Sequence, residues 1–276
     1  MMAAILLLGL GACSSMPTQA PLQMLDLDRG RTLVGPEAVA ALQQARIVLV
    51  GEQHTNPWHH QAQLAVIRAL HQSGTRVAIG LEMFRHDGQA DLERWVAGKV
   101  DAADFQDIYL AHWNYDWALY APIFHYARDH ALPMVGLNVA REISRQVARH
   151  GFASLTPAQR GELDDIVCDV APAYRVFIRR AYEAHAHGHM DFEHFCQAQL
   201  LWDEAMAKHA IRYLAAHPDR TLVILTGSAH ARKMGIPARV AHHGPWSMAV
   251  ILPETPGVFE TDTVTSADAD YLLRVP

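Results

Sequence analysis

The chain has 276 residues, which is enough for one large domain or two small ones and for a sizeable buried core. Half of its residues are hydrophobic and 19% are charged, a balance that excludes an intrinsically disordered chain. The net charge is −6 with histidine neutral and no basic cluster is present, which excludes a nucleic-acid surface. The 18 histidines indicate metal or haem handling, or a strong charge response between about pH 5 and 7.

The first residues predict secretion and lipidation. Residues 1–12 are mostly small and aliphatic, too few for a bilayer span of roughly 20 residues, and are typical of a signal peptide. The stretch Leu10–Cys13 resembles the processing site of bacterial lipoproteins. That resemblance implies cleavage before Cys13, lipid on its thiol and, because Ser14 follows, an outer-membrane location. Residues 13–23 are then a lipid-anchored tether; a plain signal peptide with an incidental cysteine is the alternative.

Beyond the tether, short apolar runs alternate with helical patterns. A small edge hairpin is predicted at residues 22–33. Strands are predicted at 47–50, 77–81, 133–137, 221–225 and 247–252, and helices at 36–44, 57–71, 90–96, 102–111, 122–130, 141–150 and from 156 onward. Strands that alternate with helices indicate βαβ units. The predicted fold class is therefore α/β, with a mostly parallel sheet flanked by helices.

Residues 155–217 contain no strand pattern and interrupt this alternation, which predicts a smaller all-helical insertion. The remaining chain is expected to divide into an α/β core at 24–154 and 218–256 and a polar C-terminal tail at 257–276. A periplasmic location would permit a disulfide between Cys168 and Cys196. The sequence leaves open whether these two cysteines are close enough to pair.

Polar side chains follow four of the predicted strands. They are Glu52 with His54, Glu82, Asn138 with Arg141, and Ser228 with His230. Because the carboxyl ends of parallel strands meet at one edge of a sheet, we expect these groups to share a pocket. Two carboxylates and two imidazoles could hold a divalent metal or divide acid and base roles. The candidate metal ligands are Glu52, His54, Glu82 and His230. The alternative is a polar network that only satisfies buried strand ends.

The predicted insertion carries tyrosines and histidines between aromatic residues. The candidate ligands there are Tyr174, Tyr182, His185, His187 and His189. An imidazole or phenolate on an apolar aromatic wall suits haem, because ferric iron accepts an axial histidine nitrogen or tyrosine oxygen. A zinc or copper site and an exposed histidine-rich loop are the alternatives.

Four motifs occur in order along the chain: Gly51–Asn56, Gly80–Phe84, Ala198–Asp203 and Gly227–His230. Together they resemble the ChaN family, haem-binding lipoproteins of bacterial iron uptake, which are related more distantly to the Tiki metalloproteases and to erythromycin-esterase-like proteins. The resemblance covers about residues 40–252. It implies an α/β core, a smaller helical domain that binds haem, and a dimer that can bring two haems face to face. It also implies that Glu52, His54 and His230 match positions that serve metal-dependent proteolysis in the Tiki branch.

Two functions from different classes follow. The first is an outer-membrane lipoprotein of haem uptake that binds haem at the helical insertion, as a homodimer serving a haem transport system. The second is a metal-dependent hydrolase, protease-like or esterase-like, that uses the strand-end carboxylates and imidazoles. The two use different parts of the chain and are compatible, and a scavenger of free metal is a third, weaker hypothesis.

Overall fold

The apolar runs of the sequence form the strands of one sheet in the part of the chain that the computed structural model describes. That part is residues 21–161, 163, 166–185 and 191–274, with the backbone alone at Ala184 and His185. The strands are β1 (Gln23–Asp26), β2 (Arg31–Val34), β3 (Ile47–Glu52), β4 (Val77–Arg85), β5 (Met134–Asn138), β6 (Thr221–Gly227), β7 (Met248–Pro253) and β8 (Tyr271–Leu273). Their order across the sheet is β2-β1-β8-β7-β3-β6-β4-β5.

Helices connect these strands. They are α1 (Pro36–Leu42), α2 (Pro57–Gln72), α3 (Gln89–Val96), α4 (Ala102–His112), α5 (Trp117–Asp129), α6 (Arg141–His150), α7 (Pro157–Arg160), α8 (Pro172–His185), α9 (Phe192–Ala216), α10 (Ser228–Ala231) and α11 (Ile236–His242). Short 3₁₀ turns lie at His86–Gly88 and Phe152–Ser154. None of the described helices combines the length and the apolar character that a bilayer crossing requires.

The strands from β3 to β8 pair with one another in parallel. The β1–β2 hairpin joins the sheet at one edge, where β1 pairs antiparallel with β8. The predicted fold class, a mostly parallel sheet flanked by helices, is thereby confirmed, as is the edge hairpin.

Helices cover both faces of the sheet, so the side chains that alternate along each strand are buried on both sides. Val48 and Val50 of β3 pack with helices α1 to α5 on one face. Ile47 and Leu49 pack on the other face against α9 and α11. Each such fully buried aliphatic side chain contributes roughly 1.5–3 kcal/mol. The result is three layers, with the central strands covered on both sides.

Helix α2 begins just after the first polar strand end. Asn56 caps it by accepting the backbone N–H of Trp58, and Pro57 occupies the first helical position, as the sequence predicts. This early start turns the chain back beneath the strand end. His60, in the first turns of α2, consequently lies under Glu52.

Two elements differ from the sequence prediction. Strand β4 continues to Arg85 through an irregularity in its pairing with β5, so Glu82 lies inside the strand and not just beyond it. The polar C-terminal stretch contributes β8, which sits between β1 and β7. A run of three residues is too short for a periodic pattern, so this strand could not be predicted from the sequence.

The predicted insertion consists of α7, α8 and α9 in its described part, and we call it the helical lobe. The first half of α9 packs in a separate apolar cluster with α6 and α8, through residues such as Cys196 and Leu201. The second half packs on the sheet through Met206 and Leu214. One continuous helix therefore joins the helical lobe to the core.

The two cysteines whose pairing the sequence left open form a disulfide, Cys168–Cys196, with the Cα atoms 5.7 Å apart. It ties the segment before α8 to the first turns of α9. The predicted signal peptide at residues 1–12, the predicted lipidation site Cys13 and the tether as far as residue 20 lie outside the described residues.

Candidate functional site

The strands β3, β6, β4 and β5 are neighbours in the sheet, and their carboxyl ends open into a cleft of about 410 Å³. His54, Glu82 and His230 line this cleft together, and Asn138 and Arg141 border it. Glu52 lies directly behind His54. The polar strand ends thus lie at one edge of the sheet, although Glu52 and Ser228 are not among the residues that line the cleft.

Glu52 is the buried hub of the first half of the site. Its carboxylate accepts hydrogen bonds from Nδ1 of His54 at 2.6 Å and from the hydroxyl of Tyr120 at 2.6 Å. Nδ1 of His60 lies 2.9 Å from its other oxygen. Burial alone would raise the pKa of Glu52, but the hydrogen bonds and charges of His54 and His60 outweigh it and lower the pKa to about 2. Glu52 is therefore an ionised group that orients His54.

His54 faces the cleft with a side chain that is 26% exposed. Burial opposes its positive charge, but the hydrogen bond to Glu52 and the nearby charge of Glu82 raise its pKa. A Cβ on Gly227 would lie 3.1 Å from Cε1 of His54 and 3.7 Å from Oε2 of Glu82. Glycine at this position therefore keeps the space between the two groups open.

His230 is the second oriented imidazole. Its Nδ1 donates to Oδ1 of Asp203 at 2.7 Å, and the other oxygen of Asp203 accepts the hydroxyl of Tyr174 at 2.7 Å. Burial opposes protonation of His230, but the charge and hydrogen bond of Asp203 outweigh it and raise the pKa to about 9. His230 is therefore an imidazolium at neutral pH, with Nε2 as the ring nitrogen left for the cleft.

Glu82 is buried between these two pairs. Its Oε2 accepts the hydroxyl of Thr226 and the backbone N–H of Gly227, each at 2.6 Å. The cleft thus holds two imidazoles, each fixed by its own carboxylate, and a further carboxylate that raises the pKa of both. Such an arrangement can accept a proton at one side of a bound molecule and donate one at the other.

The predicted metal ligands do not form a metal centre in the described residues. No group of three or more His, Cys, Asp or Glu side chains there has an arrangement that could hold a metal ion. All four predicted ligands use ring or carboxylate atoms for hydrogen bonds within the protein, as Glu82 does with Thr226 and Gly227. A divalent metal at this edge stays a prediction.

The predicted haem ligands occupy different environments. Tyr174 is only 3% exposed and its hydroxyl is bound to Asp203, which corrects the expectation that it could ligate haem. Tyr182 lies on α8, partly exposed. Its ring meets Phe192 at 5.5 Å and Phe195 at 5.6 Å between centroids, edge to face in both cases. His187, His189 and the side chain of His185 lie outside the described residues.

No role was predicted from the sequence for several residues of the site, although one of them, Asp203, ends the motif Ala198–Asp203. The most important are His60, Tyr120 and Asp203, all of which hold the site through hydrogen bonds or charge. A role for Asp203 could have been predicted from the sequence, because it is a carboxylate on the apolar stripe of a long helix, and a buried charge needs a partner. Roles for His60 and Tyr120 could not, because histidine and tyrosine are common on half-buried helix faces.

Known proteins share this fold. A solved structure described as cofacial haem binding to ChaN of Campylobacter jejuni has a TM-score of 0.72 and 17% identity, over 94% of this chain and all of that one. The type III effector HopBA1 has a TM-score of 0.51 and 14% identity, over 87% of this chain and 91% of that one. At these identities, both matches show the fold alone.

A curated sequence relative is the chloroplastic protein RETICULATA-RELATED 5 of Arabidopsis thaliana, 24% identical over 257 residues. The match covers 84% of this chain and 34% of the relative, so the chain spans about a third of that protein's length. The family described as haem-binding uptake, Tiki superfamily, ChaN matches residues 38–240, which include all four motifs and most of the cleft. The chain belongs to this ChaN family of haem-binding uptake proteins.

Proposed function

We propose that this protein binds haem on the face of the helical lobe formed by α8 and α9, with Tyr182 as the axial ligand. Membership of the haem-binding family supports the cofactor. The observation that carries the site is a partly exposed phenol set against two aromatic rings, those of Phe192 and Phe195. Ferric haem accepts a tyrosine oxygen as its axial ligand, and a flat aromatic wall suits the porphyrin.

The charges around Tyr182 fit the same ligand. Arg179, one turn earlier on α8, is exposed and its guanidinium lies 3.9 Å from the ring centroid of Phe192. Arg180 is exposed beside it. Guanidinium groups at the rim of an apolar surface pair well with carboxylates, which haem carries as its two propionates. His185, His187 and His189 follow Tyr182 closely in the chain and are candidates for a second axial ligand.

A hemin titration tests this proposal. Wild-type protein that starts after Cys13 should give a saturable shift of the Soret band near one haem per chain. Tyr182→Phe should lose the absorption bands of tyrosine-ligated iron and weaken binding by at least about tenfold. Tyr126→Phe is the matched control, because its hydroxyl bonds His71 and the two residues lie on α5 and α2, outside the helical lobe. An unchanged spectrum in Tyr182→Phe, with unchanged circular dichroism, would remove the ligand assignment.

We also propose that the protein is a lipid-anchored component of a haem transport system at the outer membrane and acts as a homodimer. The support is the lipoprotein-like stretch Leu10–Cys13 and the family's role in uptake. Mass spectrometry of the protein expressed from its complete sequence should find acyl chains on Cys13, and Cys13→Ser should move it from the outer-membrane fraction to the soluble one. Recovery of Cys13→Ser in the membrane fraction would refute the anchor.

The cleft favours a second candidate function, hydrolysis of an ester, amide or peptide bond. Two oriented imidazoles support it: His54 could take a proton from water as it attacks, and His230, an imidazolium at neutral pH, could give one to the leaving group. A divalent metal would polarise the water further. Activity would be measured on ester and peptide panels, after chelation and with added Mn²⁺, Co²⁺ or Zn²⁺. No turnover under any of these conditions would reject this candidate, and hemin binding would be unaffected.

A further inference from the structure

The lining of the cleft is cationic although the chain as a whole is acidic. Among the described residues that line it, three are arginines, Arg85, Arg141 and Arg145, and one is a carboxylate, Glu82. The chain carries a net charge of −6. A concave site whose charge is opposite to that of its protein concentrates ions of the other sign, here anions.

Two of these cations come from one face of α6. Arg141 and Arg145 are four residues apart and therefore neighbours on the helix surface, and we call them the α6 arginines. Arg141 stands at the first position of α6, and Ala140 before it offers no side-chain cap. The positive end of a helix disfavours a cation there and favours a bound anion. Arg141 therefore does not stabilise the start of the helix, and both its guanidinium and the helix end favour a bound anion.

Both α6 arginines have N–H groups that can donate hydrogen bonds to a ligand. Arg141 uses Nη2 to donate to the carbonyl oxygen of His112 at 2.9 Å and to Oδ1 of Asn114 at 2.5 Å, which leaves its Nε and Nη1 groups. Arg145 is exposed and has no hydrogen bond or ion pair with another described residue. Arg85 differs, because its Nε donates to Asp87 at 2.9 Å.

An aromatic surface lies beside these donors. We call residues 113–116 the aromatic loop; its rings, Trp113 and Tyr115, have centroids 5.4 Å apart, and both line the cleft. Each also contacts His54, with centroid distances of 5.1 and 4.8 Å. The bonds from Arg141 to His112 and Asn114 hold this loop in place. The aromatic loop and the α6 arginines are thus one built surface.

We propose that the cleft binds a small organic anion, whose carboxylate or phosphate is held by the α6 arginines and whose flat apolar part lies against the aromatic loop. Bidentate guanidinium contacts favour planar carboxylates and phosphates over point-like anions. The ligand would span from the α6 arginines to His54. This inference rests on the cleft of the second candidate function, but it concerns binding alone and is read without turnover, so each can fail separately.

Titration of the purified protein with phenyl phosphate, benzoate and inorganic phosphate tests the inference, with tryptophan fluorescence and calorimetry as readouts. We expect saturable binding of one phenyl phosphate or benzoate per chain. Arg145→Gln should weaken it by about tenfold, the usual effect of a lost charge-assisted hydrogen bond. Arg149→Gln is the matched control, since Arg149 is exposed on α6 one turn further on and does not line the cleft. Trp113→Leu should weaken phenyl phosphate more than inorganic phosphate.

Three outcomes would overturn the inference. One is the absence of saturable binding by every probe. Another is an equal loss in Arg145→Gln and Arg149→Gln, which would mean unspecific attraction by the surface charge. The third is displacement of phenyl phosphate by one equivalent of hemin, which would assign the anion site to the haem propionates and not to a separate small ligand.

Discussion

Asp203 sets the charge of His230, because its carboxylate is what makes a buried imidazole basic. The pKa of His230 stands at about 9, against an ordinary value of 6.5, although burial alone would lower it. Asp203, with a smaller contribution from the charge of Glu82, therefore outweighs the cost of desolvating the imidazolium. Tyr174 in turn fixes the carboxylate by donating its hydroxyl. The protonation state of His230 in the cleft thus depends on Asp203 of α9 and Tyr174 of α8, both in the helical lobe.

Replacement of Asp203 by asparagine should reveal this dependence. Asp203→Asn keeps a hydrogen-bond acceptor for Nδ1 of His230 but removes the negative charge. The pKa of His230 should then fall below 6.5, since burial becomes the dominant influence. An NMR titration of the ring nitrogens measures it directly. Glu204→Gln is the control, because Glu204 bonds His243 instead, and an unshifted pKa in Asp203→Asn would contradict the assignment.

His209 behaves in the opposite way. Its Nδ1 donates to the carbonyl oxygen of Leu137 at 2.7 Å, and its ring stacks on His86 with centroids 4.0 Å apart. Burial lowers its pKa to about 4, from an ordinary value of 6.5. Between these two values the unfolded chain binds the proton and the folded chain does not. Stability from this group is therefore complete above pH 6.5 and is lost as the pH falls toward 4.

The free energy of unfolding should therefore drop by up to about 2 kcal/mol between pH 7 and pH 5 on account of His209. His209→Asn keeps a donor for the carbonyl of Leu137 but cannot titrate, so its stability should fall less over the same range. Urea unfolding at the two pH values, for both proteins, gives the difference. Parallel losses in wild type and variant would show that other groups cause the acid sensitivity.

Helix α9 connects the candidate haem face to the cleft. It begins at Phe192 beside Tyr182, carries Trp202 and Asp203 at the cleft and ends on the sheet. The disulfide at Cys196 anchors its first turns to the segment before α8. A single rigid helix therefore fixes the distance between the two candidate sites.

Removal of the disulfide should loosen the helical lobe. The bridge joins two cysteines that are 28 residues apart in the sequence. For a closed loop of this length, chain entropy predicts a stabilisation of about 3–4 kcal/mol. Cys168→Ala combined with Cys196→Ala should lower the melting temperature, as should a reductant added to wild type. Calorimetry of both proteins with and without reductant tests this. The double variant should not respond to the reductant, and equal melting temperatures for it and the oxidised wild type would contradict the expectation.

The sequence predicted the elements whose pattern is local. Strands such as β3 and β6 are unbroken apolar runs, and parallel pairing then brings Glu52 and His230 to one edge without further information. Contacts between distant elements were not predictable. Tyr174 and Tyr182 look alike in the sequence, but one is buried because Asp203 approaches it from another helix. Strand β8 was missed because it is held by its neighbours in the sheet and not by a pattern of its own.

The surface position proposed for the haem bears on how two copies of the whole molecule associate. A porphyrin against the aromatic rings beside Tyr182, with no second axial ligand from its own chain, would leave its other face in water. A second copy related by a twofold axis could cover that face with its own haem, since a twofold interface uses the same patch on both partners. Before haem binds, the exposed large apolar residue among the described side chains of α8 is Val176, 54% exposed, and a single such side chain does not force association.

Dimerisation should therefore depend on hemin. Light scattering after size exclusion should give the mass of one chain without hemin and of two chains with one hemin per chain. Val176→Glu places a charge on the α8 surface and should keep the hemin-loaded protein monomeric while hemin still binds. Val258→Glu, at a similarly exposed valine near the C-terminus, should dimerise like wild type. A dimer of equal stability without hemin, or one that tolerates Val176→Glu, would mean that a different surface joins the two copies.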